Sequence, residues 1–281
     1  MSWPAVRAAQ RHDPAARLPL FAGARRIGSV AHVHLAALSA WPQWLQVQPA
    51  ALVLTSDEPT AALAQINSAL RDLGLVRGWR DEIFAVRDLD SGHLVAQTER
   101  AAARFWGTLT QGAHANGFVT DAAGRPTHLW IARRSPGKAT DAGLLDNLVG
   151  GGVPVGQTPW QALVREGWEE AGLSPVAMAA ATPGSIIRVH RDVAEGLQLE
   201  DLYSHDLQLP VGVRPHNQDG EVAGFECMPV RQALACAANH EMTVDASLVT
   251  LDFALRHGLC NAPPGWAQIT GALDRFLQPG V

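Results

Sequence analysis

Hydrophobic positions recur along this chain with two different periods, and their order predicts two units in succession. In PTAALAQINSALRDLGL the apolar residues return every three or four positions, the spacing of a helix with one buried face. DEIFAVRD alternates apolar and polar side chains as a half-buried strand does. FAGARRIGSV reads as a strand and turn, ALVLTS as a short buried strand, and AQTERAAARFWGTL as a possible helix. The chain to about Thr120 is thus expected to be a mixed α/β unit, and it shows no catalytic constellation.

From Ala115 onward strands joined by turns take over. NGFVTD and THLWIARRS flank Ala122-Ala123-Gly124 as a hairpin, and LLDNLVGGG reads as a strand running into glycines. The following helix carries both of its ends in the sequence. Thr158 suits the N-cap, Pro159 the first helical position and Gln161 the reciprocal position of a capping box; Gly172 suits the C′ position, and Ser174-Pro175 forbids continuation. SIIRVHRDV, LYSHDLQLP and GEVAGFECMPV read as strands, and VRQALACAA, VDASLVTLDFALRH and WAQITGALDRFL as helices. Strands on both sides of one capped helix predict a mixed sheet packed between helices, so the fold class is α/β (α+β). The expected division is residues 1–120 as an N-terminal α/β extension and residues 121–281 as the second domain.

Composition narrows the function. With 281 residues, 47% of them hydrophobic and 17% charged, the chain belongs to the globular class and is long enough for two cores. A net charge of −5, with no run of Lys or Arg interleaved with aromatics, disfavours nucleic acid as a partner. A small diphosphate stays compatible, because a few local cations and a metal can hold it. Cys227, Cys236 and Cys260 are odd in number and lack metal-ligand spacing, which argues against a disulfide framework or a zinc site. The N-terminal segment lacks the uninterrupted apolar core of a signal peptide, and no stretch reaches the ~18 apolar residues of a membrane span. No membrane partner is expected, and the cytoplasm is the expected compartment.

Chemistry concentrates in QALVREGWEEAGL. Glu166, Glu169 and Glu170 stand at i, i+3 and i+4, so three carboxylates share one helix face and repel one another unless something cationic lies among them. Arg165 can reach Glu169 at i+4. Carboxylate oxygens with a backbone carbonyl are ligands for Mg²⁺ or Mn²⁺, and Gly150-Gly151-Gly152 just upstream would let the backbone approach such an ion. A solvated acidic helix face is the other reading of ExxEE taken alone.

The wider spacing favours the metal. GGVPVGQTPWQALVREGWEEAGL, residues 151–173, resembles the Nudix box, matching at Gly151, Arg165, Glu166, Glu169, Glu170, Gly172 and Leu173. It departs at Gln157, where the box has a glutamate, and at Gly167, where an apolar side chain is usual. Gly167 costs about 1 kcal/mol in a helix interior and suggests close packing against a neighbour. TQGAHANGFV, LWIARRSPGKAT, GLLDNLVGGG, HDLQLP and DGEV, in that order, are similar to segments of a Nudix subfamily with an N-terminal extension, related to the Nudix domain fused to thiamine pyrophosphokinase. In that subfamily the first box glutamate is often absent.

The resemblance implies a Nudix α/β/α sandwich with a mixed sheet and a hydrolase acting on a small organic diphosphate, thiamine diphosphate or its oxidised forms, to give the monophosphate. It implies Glu166, Glu169 and Glu170 as metal ligands with the Gly150 carbonyl as a further one, and Glu221 as a remote metal-binding or catalytic glutamate. Glu166 or Glu221 would be the general base, with Arg165 orienting the cluster. Lys138, and beside it Arg134 or Arg133, could neutralise the diphosphate, and His114 and Asn116 could contact the organic part, though each has an ordinary structural alternative. Trp106, Phe118 or Trp130 could supply an aromatic wall or simply fill the core. Other activities remain open: an ADP-ribose or dinucleotide pyrophosphatase, an isoprenyl diphosphate isomerase using Cys227, or a noncatalytic ligand sensor.

Overall fold

The computed structural model describes residues 3–270. A short helix α1 (Pro4–Ala8) leads into a hairpin of β1 (Arg17–Ala22) and β2 (Arg25–Ala31), then α2 (Leu35–Leu38) and a hairpin of β3 (Leu45–Gln48) and β4 (Ala51–Leu54). Helix α3 (Pro59–Asp72), a hairpin of β5 (Ile83–Arg87) and β6 (Leu94–Glu99), and helix α4 (Arg100–Trp106) follow. The first four strands form a sheet in the order β2-β1-β4-β3, with β1 and β4 parallel. Proline at the start of α3 pre-sets the first turn, and Leu63, Ile66 and Leu70 then face the sheet together with Phe105 and Trp106 of α4. Each such buried side chain contributes roughly 1.5–3 kcal/mol.

The expected helix in AQTERAAARFWGTL begins later than its composition suggests. Thr98 is tied to Asn67 at 2.8 Å and Glu99 caps Ala101 N, so residues 94–99 pair with β5 as strand and the helix starts only at Arg100. This is capping and tertiary pairing prevailing over helix propensity.

The second unit holds β7 (Leu109–Thr120), β8 (Pro126–Arg134), β9 (Leu145–Asp146), β10 (Val149–Gly152), α5 (Pro159–Ala171), α6 (Pro175–Met178), β11 (Thr182–Val193), β12 (Gly196–Gln208), β13 (Val222–Pro229), α7 (Val230–Ala238), α8 (Val244–Arg256) and α9 (Trp266–Thr270). The rest of the expected helix in WAQITGALDRFL lies outside the described residues. The strands form a mixed sheet in the order β11-β12-β7-β8-β13, with β10 also paired to β7, β9 to β8, and β12 parallel to β7. Strand alternation places Ala113 and Ala115 in the core under α5 and α6, while Phe118 and Leu202 join the core under α1, α7 and α8. The result is the expected α/β/α layering.

Three features of the layout differ from expectation. The division placed at Thr120 falls at the end of β7, which belongs wholly to the second sheet because its alternating faces are buried between the two helical layers. The first residues also pack with the second unit: Trp3 and Val6 join the α8 core, and Ala9 O accepts from His190 N at 2.7 Å. LLDNLVGGG likewise divides into β9 and β10, because the Asn147 side chain turns inward to Asn116 and Thr250 and interrupts the strand.

Candidate active site

Helix α5 starts and stops where its sequence says. Thr158 Oγ1 accepts from Gln161 N at 3.2 Å, Gln161 Oε1 accepts from Thr158 N at 2.9 Å, and Gly172 closes the helix at φ 64°. The inward face consists of Ala162, Leu163, Glu166, Gly167, Glu170 and Ala171, so two of the three glutamates lie on the buried side. Glu166 and Glu170 are only 7% and 5% exposed, which makes their charge costly unless it is compensated.

The three glycines before the helix each admit a different neighbour. A Cβ at Gly150 would meet the His114 ring at 2.8 Å, one at Gly151 would collide with the Glu166 carboxylate, and one at Gly152 would meet Phe84 at 2.6 Å. Gly167 makes the close approach expected of it, since a Cβ there would lie 2.6 Å from Met178 Sδ on α6. Gly150 joins the cluster through its N–H, which donates to Glu170 Oε2 at 2.9 Å.

Cations stand among the carboxylates. Arg165 donates through Nη2 to Glu166 at 2.9 Å and through Nη1 to Glu169 at 2.6 Å, and its Nε lies 3.5 Å from Gln157 Oε1. Lys138 lies 3.7 Å from Glu170 and forms a short contact with Glu221, whose other oxygen accepts from Arg80 at 2.8 Å. The tertiary structure therefore gathers Glu166, Glu169, Glu170, Glu221, Lys138 and Arg165 from separate segments of the chain. Burial, reinforced by Glu169, pushes Glu166 up to about 7, and burial with Glu166 pushes Glu170 up to about 8. Burial also acts to raise Glu221, but Lys138 and Arg80 outweigh it and hold that carboxyl below its ordinary range.

Three residues expected to touch substrate have other work. His114 and Asn116 project from β7 away from α5: His114 presses on Gly150 while Glu166 presses on Gly151 from the opposite side, and adjacent residues of a strand point to opposite faces. His114 Nδ1 lies 3.0 Å from Asn147 Oδ1. Asn116 donates to Asp206 and Val249 O and accepts from Asn147, all within the core under α8. Arg134 bonds Asp146 at 2.8 Å and Thr140 O at 3.0 Å, which commits its guanidinium to holding the 135–146 loop. Arg133 is likewise bonded to Gly143 O. Of the aromatic candidates, Trp106 is 1% exposed with its indole N–H on Asn67, and Phe118 packs on Phe253; Trp130 lies under Arg214.

The first unit, in which the sequence shows no catalytic constellation, supplies charged neighbours that sequence reasoning misses. Glu82 accepts from Arg100 at 2.6 Å, and its other oxygen lies 3.9 Å from Arg165; Arg80 reaches Glu221. Their only sequence signal is the dense charge of GWRDEIF ahead of a strand.

A family model described as the NUDIX domain matches residues 110–248. The chain carries a Nudix domain. Residues 3–110, ahead of it, match a family described as a domain of unknown function (DUF4743), and the two matches meet where β7 begins. The chain is similar to Nudix hydrolase 20, chloroplastic, of Arabidopsis thaliana, 37% identical over 205 residues, covering 72% of this chain and 54% of the relative. It is 35% identical over 216 residues to Nudix hydrolase 24, chloroplastic, of the same plant, covering 76% of this chain and 58% of the relative. The chain thus spans a little over half the length of these two relatives. A solved structure from Deinococcus radiodurans aligns at 23% identity with a TM-score of 0.48, covering 61% of this chain and 99% of that one. No helix among the described residues is long and apolar enough to cross a membrane.

The Nudix-domain cluster offers oxygen donors throughout, a set suited to a hard divalent cation, and two of its carboxylates are buried with their charge incompletely compensated. As arranged, the glutamates point at Arg165 and Lys138, and among the described residues no three His, Cys, Asp or Glu side chains converge on one point. The donor set fits a cation, with turning of the Lys138 and Arg165 side chains required to gather it.

Proposed function

We propose that this chain is a divalent-cation-dependent hydrolase that cleaves the diphosphate bond of a small organic diphosphate. The observation that carries this reading is the gathering of Glu166, Glu169 and Glu170 on one helix with Glu221 and Lys138 brought to them from distant segments. The names of the two plant relatives support the same activity.

Glu166, Glu169 and Glu170 would hold Mg²⁺ or Mn²⁺, with Glu221 and the Gly150 backbone nearby. When bound, the cation supplies charge neutralisation at the diphosphate and acidifies water. Glu166 is the preferred proton acceptor, because it is buried at the centre of the cluster and held in place by Arg165. Arg165 orients Glu166 and Glu169 through its two amino groups. Glu221, held ionised by Lys138 and Arg80, is the alternative base. Lys138 has a flexible stem and a point charge that can leave the carboxylates for a phosphate oxygen. Burial pushes the Cys227 thiol up, away from thiolate, which disfavours an isomerase using that side chain.

For the organic part we favour a thiamine-type diphosphate, cleaved to the monophosphate and phosphate, because the ordered segments from TQGAHANGFV to DGEV resemble the subfamily associated with it. A panel of thiamine diphosphate, its oxidised forms, ADP-ribose, NADH and nucleoside triphosphates, compared by kcat/KM at one Mg²⁺ concentration, tests both levels. Preference for ADP-ribose or a dinucleotide would overturn the thiamine assignment alone. No turnover of any diphosphate with Mg²⁺ or Mn²⁺ would overturn the hydrolase.

A further inference from the structure

A cleft of 520 Å³ opens between the first unit and the Nudix domain, and its lining is unusually cationic for an acidic chain. Arg77, Arg80, Arg100 and Arg104 line it, and all four come from the region of unknown function. Arg77 and Arg80 lie in the connection from α3 to β5, and Arg100 and Arg104 on α4, four residues apart and so on one face of that helix. The facing wall includes Ala139 and Thr140, just after Lys138, with Gly152 and Glu200.

The cleft adjoins the glutamate cluster at two points. Arg100 holds Glu82, which faces Arg165, and Arg80 holds Glu221, which is paired with Lys138 and through it with Glu170. Close approach keeps the walls together: a Cβ on Gly152 would lie 2.6 Å from Phe84 Cζ and 3.4 Å from Arg100 Cζ, and one on Gly78 would lie 3.2 Å from Ala139 Cβ. Glu195 and Glu200 are the carboxylates of the lining, against four guanidinium groups. Arg104 reaches Glu195 only at 3.6 Å, and Arg77 bonds Gly74 O through Nε, so both keep amino groups for a further acceptor. Leu75 and Phe84 add apolar surface.

We infer that the N-terminal region is the phosphate-recognition wall of the enzyme, its four arginines holding the diphosphate group of the substrate beside the Nudix glutamates. This rests on the hydrolase reading above and adds to it a role for the region before Leu109. Guanidinium groups suit the task because their planar donors match phosphate oxygens in pairs. Glutamates alone would repel the diphosphate; an arginine wall from a second unit supplies the opposite charge beside the carboxylate cluster, which it touches where Arg80 pairs with Glu221.

The test uses the full chain and inorganic pyrophosphate as the probe, measured by titration calorimetry in excess chelator. Wild type is expected to bind one pyrophosphate, and Arg77→Ala/Arg104→Ala to bind it roughly tenfold or more weakly, in keeping with the loss of charge-assisted bonds. Arg77→Ala alone, an exposed substitution that leaves the core untouched, should show part of the loss if the double variant proves unstable. Absence of pyrophosphate binding by wild type, or equal binding by stably folded wild type and variants, overturns the inference. These outcomes are separable from the hydrolase reading, since binding in chelator needs no turnover and turnover can be scored on its own.

Discussion

Gly151 and Glu166 occupy complementary space: the missing side chain on β10 is where the Glu166 carboxylate of α5 lies. The glycine therefore sets the position of a proposed ligand and base. Gly151→Ala should displace that carboxylate and cost about 1–3 kcal/mol through overpacking. Activity should fall by roughly tenfold or more, the scale expected for a misplaced catalytic group. Thermal unfolding and kcat together check this; unchanged kcat in a folded variant would contradict the role given to Glu166.

Gly167 and Met178 pose a contest between two effects. Alanine at 167 gains about 1 kcal/mol of helix propensity. It also meets Met178 Sδ at 2.6 Å, and Met178 is fully buried, so overpacking of about 1–3 kcal/mol opposes the gain. Gly167→Ala should be neutral to destabilising. Adding Met178→Ala should be less harmful in the Gly167→Ala background than in wild type. Denaturant unfolding of the four proteins gives the coupling; strict additivity would remove this account of the unusual glycine.

The helix that carries the glutamates is legible in the sequence because its determinants are local: Thr158 and Gln161 cap one another across three residues, and Gly172 ends the helix by its own backbone. The strand-to-helix change at Glu99 is not, because it depends on Thr98 meeting Asn67, 31 residues away. His114 and Asn116 look like site residues from their place in the AHANG segment. Which face a strand residue takes is decided by pairing, and the register of Gly150 with His114 turns both toward α8. Arg80 and Glu82 escape notice for a similar reason, since Arg80 meets Glu221 across 141 residues and no local pattern encodes that pairing.

His190 offers a pH signature far from the glutamates. Its ring stacks on His12 with centroids 3.6 Å apart, and burial first, then His12, Arg188 and Arg26, push it down to about 4, against the opposing pull of Asp192. A histidine that ionises less readily folded than unfolded contributes stability that is present above its unfolded value of 6.5 and is lost as pH falls toward about 4. Wild-type melting temperature should therefore decline from pH 6.5 downward. His190→Gln should show a shallower decline between about pH 6.5 and 5, where most carboxylates have yet to protonate. Parallel slopes would show that this ring does not set the acid limit.

Glu169 and Glu170 separate metal binding from folding. Replacing either by glutamine removes a ligand charge while nearly preserving shape, so activity with Mg²⁺ or Mn²⁺ should collapse, by roughly a hundredfold or more for loss of a hard-cation ligand. The fold should persist, because the amide oxygen introduced by Glu170→Gln can still accept from the Gly150 N–H, and Glu221 remains for Lys138. For Glu170 the sign of the stability change follows from its environment. Burial and Glu166 raise its folded value to about 8, so its stabilising contribution is intact at low pH and lost as pH rises from 4.5 through about 8. In excess chelator at about pH 8.5, Glu170→Gln should melt above wild type, and the difference should shrink toward about pH 5. Adding Mg²⁺ should raise the wild-type melting temperature and leave the variant nearly unmoved. Full turnover of wild type in chelator, or an equal Mg²⁺ shift in both proteins, would show that the α5 carboxylates are not the cation site.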